Sequence, residues 1–213
     1  MLFNDRNDAG KKLGEKLQGY KNASSTVVLG LVRGGVVVAA EVAASLGLPL
    51  NVVVVRKLGA PHNEELAIGA ITDKGEGFFN EDLMGILGVS REYLSKEMER
   101  QRKSAKERVE IYRGHFPAPD IKNKTVILVD DGIATGASFR AAIRSVRKEG
   151  AKKIVLAVPV AAPDALEMLK KEVDEVVCLS SPVFFEAVGA FYKHFNQTTD
   201  EEIISLLAHA LKT

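Results

Sequence analysis

The chain has 213 residues, 46% of them hydrophobic and 27% charged, the balance of a globular domain large enough to bury its own core. Its 29 Lys and Arg against 28 Asp and Glu leave a formal net charge of +1, so no global field steers it toward nucleic acid or a membrane and any anion site has to be local. A single cysteine, Cys178, excludes an internal disulfide and a thiol-built metal cluster. With a charged N-terminal stretch, MLFNDRNDAGKK, that lacks the apolar run of a signal peptide, it points to the cytosol.

In chain order, TVVLGLV (26–32) and NVVVVRK (51–57) are short β-branched runs and read as strands. Between them GVVVAAEVAASLG (35–47) is helical, stopped by Gly47 and Pro49. Two fully apolar strands around a helix make a parallel βαβ unit. The region 26–55 is interrupted by Arg33, Glu41 and Asn51, too often for a membrane span. LGAPHNEELAIGAI (58–71) is a Gly/Pro/Asn-rich loop leading into a strand-like stretch, and residues 90–114 form a long charged helix. The alternation then resumes: strand 124–131, helix 136–150 closed by Gly150, strand 152–160, helix 163–173, strand 174–181. An aromatic tail from Ser181 ends in a helix capped by Thr199 or Asp200. The pattern predicts one domain over 1–213, a doubly wound, mainly parallel α/β sheet.

Ligands of open α/β sheets bind beyond the carboxyl ends of the strands. VILVDDGIATGAS (126–138) puts Asp130 and Asp131 at such an end, followed by Gly132, Ile133, Ala134, Thr135, Gly136, Ala137 and Ser138 at the start of a helix. Adjacent carboxylates repel and have no packing use, whereas helix N-terminal amides form an anion site. Acceptors followed at once by phosphate donors suit a ribose 5-phosphate: carboxylates for the vicinal hydroxyls, amides for the phosphate. A bare acidic pair before glycine also serves as a helix-capping turn; the flanking apolar strand, the Thr-Gly and the following helix favour the ligand. No Lys follows Gly136, so this is not a Walker loop.

This stretch resembles the phosphoribosyl-pyrophosphate motif of type I phosphoribosyltransferases, and LVRGG (31–35) resembles that family's pyrophosphate loop. The likeness covers most of the chain and is nearest to prokaryotic members of unassigned substrate that open with F-x-D-R-x-D-A-G, here Phe3–Gly10. It implies that Asp130 and Asp131 are catalytic and hold the ribose, and that Arg33, Gly34, Gly35, Arg56 and Lys57 hold the pyrophosphate. It further implies Mg²⁺ carried mainly by the substrate, with no protein ligand named. Residues 58–71 would be a flexible cover loop and 181–213 would contribute a hood over the acceptor. The implied partners are phosphoribosyl pyrophosphate and a base or small amine. The rival reading is a non-catalytic regulator sensing the same ligand. Members acting on 6-oxopurines carry an acid three residues after the second Asp; here that residue is Ala134, which argues against hypoxanthine or guanine.

Other features take plainer readings. His62 is a solvated loop residue, Cys178 buried and inert, and Phe184 and Phe185 packing residues before they are stacking ones. Helix 90–114 carries a narrow stripe of Leu94, Met98, Ala105, Val109 and Tyr112 and reads as a solvated helix laid on the domain, with a homodimer contact as the second reading and an RNA-facing surface less favoured.

Overall fold

The structure, a computed structural model, describes residues 1–113 and 119–210. In chain order the elements are α1 (Arg6–Lys16), β1 (Thr26–Leu31), α2 (Gly34–Leu46), β2 (Leu50–Val53), β3 (Val55–Ala60), β4 (Asn63–Thr72) and β5 (Gly77–Phe79). There follow α3 (Glu81–Ile86), α4 (Arg91–Arg113), β6 (Thr125–Val129), α5 (Ala137–Lys148), β7 (Lys153–Val160), α6 (Pro163–Lys170), β8 (Glu175–Ser180) and α7 (Asp200–Ala210). The motif FNDRNDAG opens α1 for local reasons. Asp5 caps the helix by accepting from Asp8 N at 2.8 Å, and a side chain at Gly10 would strike Glu41 Cβ at 2.7 Å, so α1 lies hard against α2.

The core is a five-stranded sheet in the order β2-β1-β6-β7-β8, every neighbouring pair parallel. Alternation along the strands builds two cores. Val28, Ile127, Val129, Val155 and Ala157 face α1, α2 and α7; Val27, Leu29, Val126, Leu128 and Leu156 face α5 and α6. Helices therefore cover both faces, as the apolar strands require. Chain order reverses between β1 and β6, which run side by side with Gly30 opposite Val129. The loops leaving these two strands consequently meet at one end of the sheet, at the topological switch point.

Two expectations are corrected here. The β-branched run 51–57 is not one strand: β2 ends at Val53, and β3 leaves the parallel sheet for a second, antiparallel one ordered β3-β4-β5. The stretch 58–71, expected as a loop running into a strand, lies mostly in the β3–β4 hairpin, turned at Pro61 and His62. Leu58, Ala60, Ile68 and Ile71 pack this hairpin against Leu94 and Met98 of α4. Ala70 packs it against Ala137 and Ala141 of α5.

Helix α4 thus lies between two cores, since its Ala105 and Tyr112 are fully buried in the main one; Gly114, the last residue expected for it, is outside the described residues. Chain ends also meet: Phe3 N donates to Phe191 O at 2.8 Å and Lys193 N to Phe3 O at 2.9 Å. Thr199 Oγ1 caps α7 by accepting from Glu202 N at 3.2 Å. Among the described residues no helix is long and apolar enough to cross a membrane.

Leu46 is fully buried in the main core, between α2 and the sheet. Leu46→Ala is expected to lower the unfolding free energy by about 2–5 kcal/mol in urea denaturation, whereas Met168→Ala, at a side chain 46% exposed, should stay within about 0.5 kcal/mol.

Candidate functional site

Asp130 and Asp131 follow the last residue of β6, where the apolar run stops at the carboxyl end of the central strand. Both side chains are half-buried. Asp130 Oδ1 accepts from Asp131 N at 2.9 Å, and Asp131 Oδ2 accepts from Arg6 Nε at 2.8 Å. Burial pushes the Asp130 carboxyl well above the usual range, and the Asp131 charge beside it pushes the same way. Burial also raises Asp131, against the pull of the Arg6 guanidinium. Each carboxylate has one oxygen committed within the protein, which leaves the other for a ligand.

The loop leaving β1 presses against this pair. Arg33 precedes the first turn of α2, and the Val32–Arg33 peptide is cis. A Cβ at Gly34 would collide with Asp131 Oδ2 and come within 2.8 Å of Arg6 Nε; at Gly35 it would lie 2.5 Å from Asp130 Oδ1. At Gly35 the backbone of Asp130 and Val129 leaves no room for a side chain, and at Gly34 one would displace the Asp131 and Arg6 side chains, so the glycines let the two loops close on each other.

Beyond the acids, the loop is stitched to β7: Ile133 N donates to Val160 O at 2.9 Å and Ala162 N to Ile133 O at 2.8 Å. Gly136 takes a left-handed φ of 79° and ends the loop without a side-chain cap. The amides of Ala137, Ser138 and Phe139 therefore open α5 with no intrahelical partner. A cleft of about 180 Å³ lies here, lined by every residue from Asp130 to Phe139, by Lys57 and by Val188.

Lys57 also lines a second, adjoining cleft of about 330 Å³, together with Arg56, Gly59, Glu64, Glu97, Arg100, Gln101 and Ser138. Arg56 and Lys57 stand in the antiparallel hairpin, not at the tip of a core strand, and reach the site from its side. Arg56 Nε donates to Gln101 Oε1 at 3.2 Å. Burial, and then the charges of Arg108, Arg100 and Arg33, lower the Arg56 pKa. Arg100 is neutralised by Glu97 at 2.7 Å and Glu64 at 3.1 Å, and Arg108 by Asp200 at 3.2 Å. By contrast the side chains of Arg33 and Lys57 make no hydrogen bond or ion pair among the described residues, and that of Arg56 bonds only to a neutral amide.

Several residues here were not visible from the sequence. Glu97 is buried, which raises its carboxyl, but bonds from Arg100, Gln101 and Gly59 N outweigh that and hold it low. Tyr93 donates to Gly59 O at 3.0 Å, so α4 grips the hairpin at the bulge beside Gly59. Tyr192 donates to Asp131 O at 2.6 Å. Arg6 Nη1 donates to Asn196 O at 2.6 Å, and its guanidinium lies 3.9 Å from the centre of the Phe195 ring. Arg6 stands inside FNDRNDAG, and the signal overlooked was an arginine in an otherwise capping motif. Of the tail aromatics, Tyr192 is buried, Phe185 stacks on Phe191, and Phe184 is 91% exposed. His62 is exposed at the hairpin turn, and Cys178 is half-buried, not fully so, with its thiol pKa raised by burial.

The family model described as phosphoribosyl transferase domain matches residues 4–193. The chain belongs to that family. A Mycobacterium tuberculosis protein named "Putative phosphoribosyl transferase" is 42% identical over 209 residues, 98% of this chain but 47% of its own length. The chain thus spans about half the length of that relative. The crystal structure of the protein TT1426 from Thermus thermophilus is 47% identical, covers 98% of this chain and 99% of its own, and superposes with a TM-score of 0.82. A uracil phosphoribosyltransferase of Lactobacillus gasseri is 45% identical over 53 residues, 25% of each chain.

Two outcomes follow from the packing of the acidic pair against the β1 loop. A carboxyl whose pKa is raised by folding costs stability where it is ionised, and the cost disappears as pH falls through the folded value. Asp130→Asn should therefore raise the melting temperature at neutral pH, with the advantage shrinking toward acid. Gly35→Ala should lower stability by about 1–3 kcal/mol in denaturant melts, because the added methyl would meet backbone at Asp130 Cα, 2.7 Å away, and Val129 O, 2.9 Å away.

Proposed function

We propose that the protein transfers the ribose 5-phosphate of phosphoribosyl pyrophosphate to a nitrogen nucleophile, releasing pyrophosphate. The observation that carries this reading is the ordering within one cleft: two carboxylates with an open oxygen each, then uncapped amides at the α5 N-terminus. Asp130 and Asp131 accept from the vicinal ribose hydroxyls. Gly132, Ile133, Ala134, Thr135, Gly136, Ala137 and Ser138 wrap the 5-phosphate, with hydroxyls from Thr135 and Ser138 and amides from the helix start.

Gly34 and Gly35 bring the β1 loop against the ribose end, and Arg33, Arg56 and Lys57 face the leaving pyrophosphate. Among the described residues none of these three side chains is in ion-pair contact with a carboxylate, unlike Arg100 and Arg108. In the transfer, the nucleophile's lone pair forms the new bond to C1 while the C1–O bond breaks and its electrons leave with pyrophosphate. Positive charge gathers on the sugar beside the two acids and negative charge on the leaving group beside the three cations. Fixed charges aimed in this way lower the barrier without reorganisation.

Among the described residues no group of three or more His, Cys, Asp or Glu is arranged to hold a metal ion. Mg²⁺ carried by the substrate would supply neutralisation of the pyrophosphate charge, beside the Asp130 and Asp131 carboxylates that line the cleft. Ala134, in place of an acid, disfavours a 6-oxopurine as acceptor.

The test is to incubate the protein with phosphoribosyl pyrophosphate, Mg²⁺ and a panel of acceptors that includes uracil and adenine, and to follow pyrophosphate. Release with one acceptor supports transfer and names it; tight binding with no release from any acceptor favours a sensor of the same ligand. In titration calorimetry the double substitution Asp130→Asn, Asp131→Asn should weaken phosphoribosyl pyrophosphate binding by on the order of 100-fold while leaving circular dichroism unchanged. Unaltered affinity in that variant would remove the ribose role.

A further inference from the structure

We propose that Arg6 is a positioning residue for the ribose-binding pair, one that fixes the Asp131 carboxylate and ties it to the chain's C-terminal segment. The inference rests on the ribose role proposed for Asp131. The contact is a part-buried ion pair, with side-chain exposures of 12% for Arg6 and 15% for Asp131. The guanidinium is held on three sides: Nε on Asp131 Oδ2, Nη1 on Asn196 O, and the flat face on Phe195.

Held so, Arg6 takes one Asp131 oxygen and leaves the other toward the cleft. A free carboxylate at a strand tip would rotate; this one has its plane set before any ligand arrives. Arg6 also answers an electrostatic need. The groups facing Asp131 are Asp130 from the same loop, the Tyr192 hydroxyl from the C-terminal segment and Arg6 from α1; Lys57 acts on Asp130 from the hairpin. Arg6 is the only one of these that puts a positive charge in contact with Asp131, and Gly34 closes the remaining side.

A lysine would not replace it. An ammonium is a point charge without the planar fork that meets Asp131 and Asn196 together while lying on an aromatic ring. The arrangement couples sites far apart in sequence: the first helix, the acidic pair and the aromatic tail share a single guanidinium. Any displacement of residues 195–196 is therefore passed to Asp131 through Arg6.

The experiment compares wild type with Arg6→Gln, Arg6→Lys and Phe195→Leu in two readouts. The first needs no ligand: carbon-13 carboxyl NMR of labelled aspartate, with the Asp131 signal assigned by its loss in Asp131→Asn, followed through an acid titration. Arg6→Gln should move the Asp131 midpoint to higher pH, Arg6→Lys should restore it in part, and Phe195→Leu should shift it less in the same direction. The second readout is phosphoribosyl pyrophosphate affinity by calorimetry, expected to fall roughly 10- to 100-fold in Arg6→Gln, with Arg6→Lys recovering little of it.

An Asp131 midpoint unmoved in a folded Arg6→Gln overturns the proposal, and so does tighter ligand binding, which would make Arg6 an occupant of the site that the substrate must expel. If Arg6→Gln does not fold, the same two outcomes are read from Phe195→Leu. Wild-type protein that fails to bind phosphoribosyl pyrophosphate defeats the ribose reading and with it the ligand half of this proposal, while the NMR titration still decides whether Arg6 governs Asp131.

Discussion

Two neighbouring carboxylates at a half-buried strand tip are an electrostatic liability, and the surrounding structure is arranged around containing it. Burial favours the neutral form of both acids, and the Asp131 charge pushes Asp130 the same way. The pair persists because an arginine touches one member, a backbone amide donates to the other, and helix N-termini open nearby. These compensations come from α1, from the loop itself and from α5, and only the switch between β1 and β6 brings them to one point. A site that is costly without ligand and satisfied with it is the expected signature of binding, since a purely structural turn would have no reason to retain the second acid.

The charges around the two clefts divide by whether the protein has already neutralised them. Arg100 and Arg108 have carboxylate partners from α4, β4 and α7 and fasten those elements together. Among the described residues the side chains of Arg33 and Lys57 have no such partner and Arg56 bonds only to Gln101; burial, and then the charges of Arg108, Arg100 and Arg33, lower the Arg56 pKa. Acids therefore line one cleft and cations the cleft adjoining it, with Lys57 on the wall of both.

How much of this could be read in advance depended on the range of the interaction. Parallel strands were legible because burial on both faces writes an unbroken apolar run, and the loop 130–138 because its acids, glycines and helix start are consecutive. The break between β2 and β3 was not, since the run from Asn51 to Lys57 is dominated by β-branched residues and only tertiary pairing moves Val55 onward to another sheet. The hairpin was read as a loop because Gly59, Pro61 and Asn63 are turn formers; they are spent on one bulge and one turn, and the strands on either side pair regularly. Arg6 escaped notice because its partner lies 125 positions away and nothing local to α1 requires a guanidinium.

The placement of the inserted helix bears on what is common to the fold and what is particular to this chain. The acidic pair, the glycine loop and the uncapped helix belong to the sheet, and their geometry follows from strand order. Helix α4 belongs to no βαβ unit of that sheet, yet it holds the hairpin that carries Arg56 and Lys57 through Glu97, Tyr93 and Arg100. Where those two cations stand is thus decided by a helix outside the sheet, through a buried carboxylate that touches no part of the acidic cleft. The same hairpin packs through Ala70 on Ala137 and Ala141 of α5, so α4 and the helix that opens the acidic loop hold it from two sides.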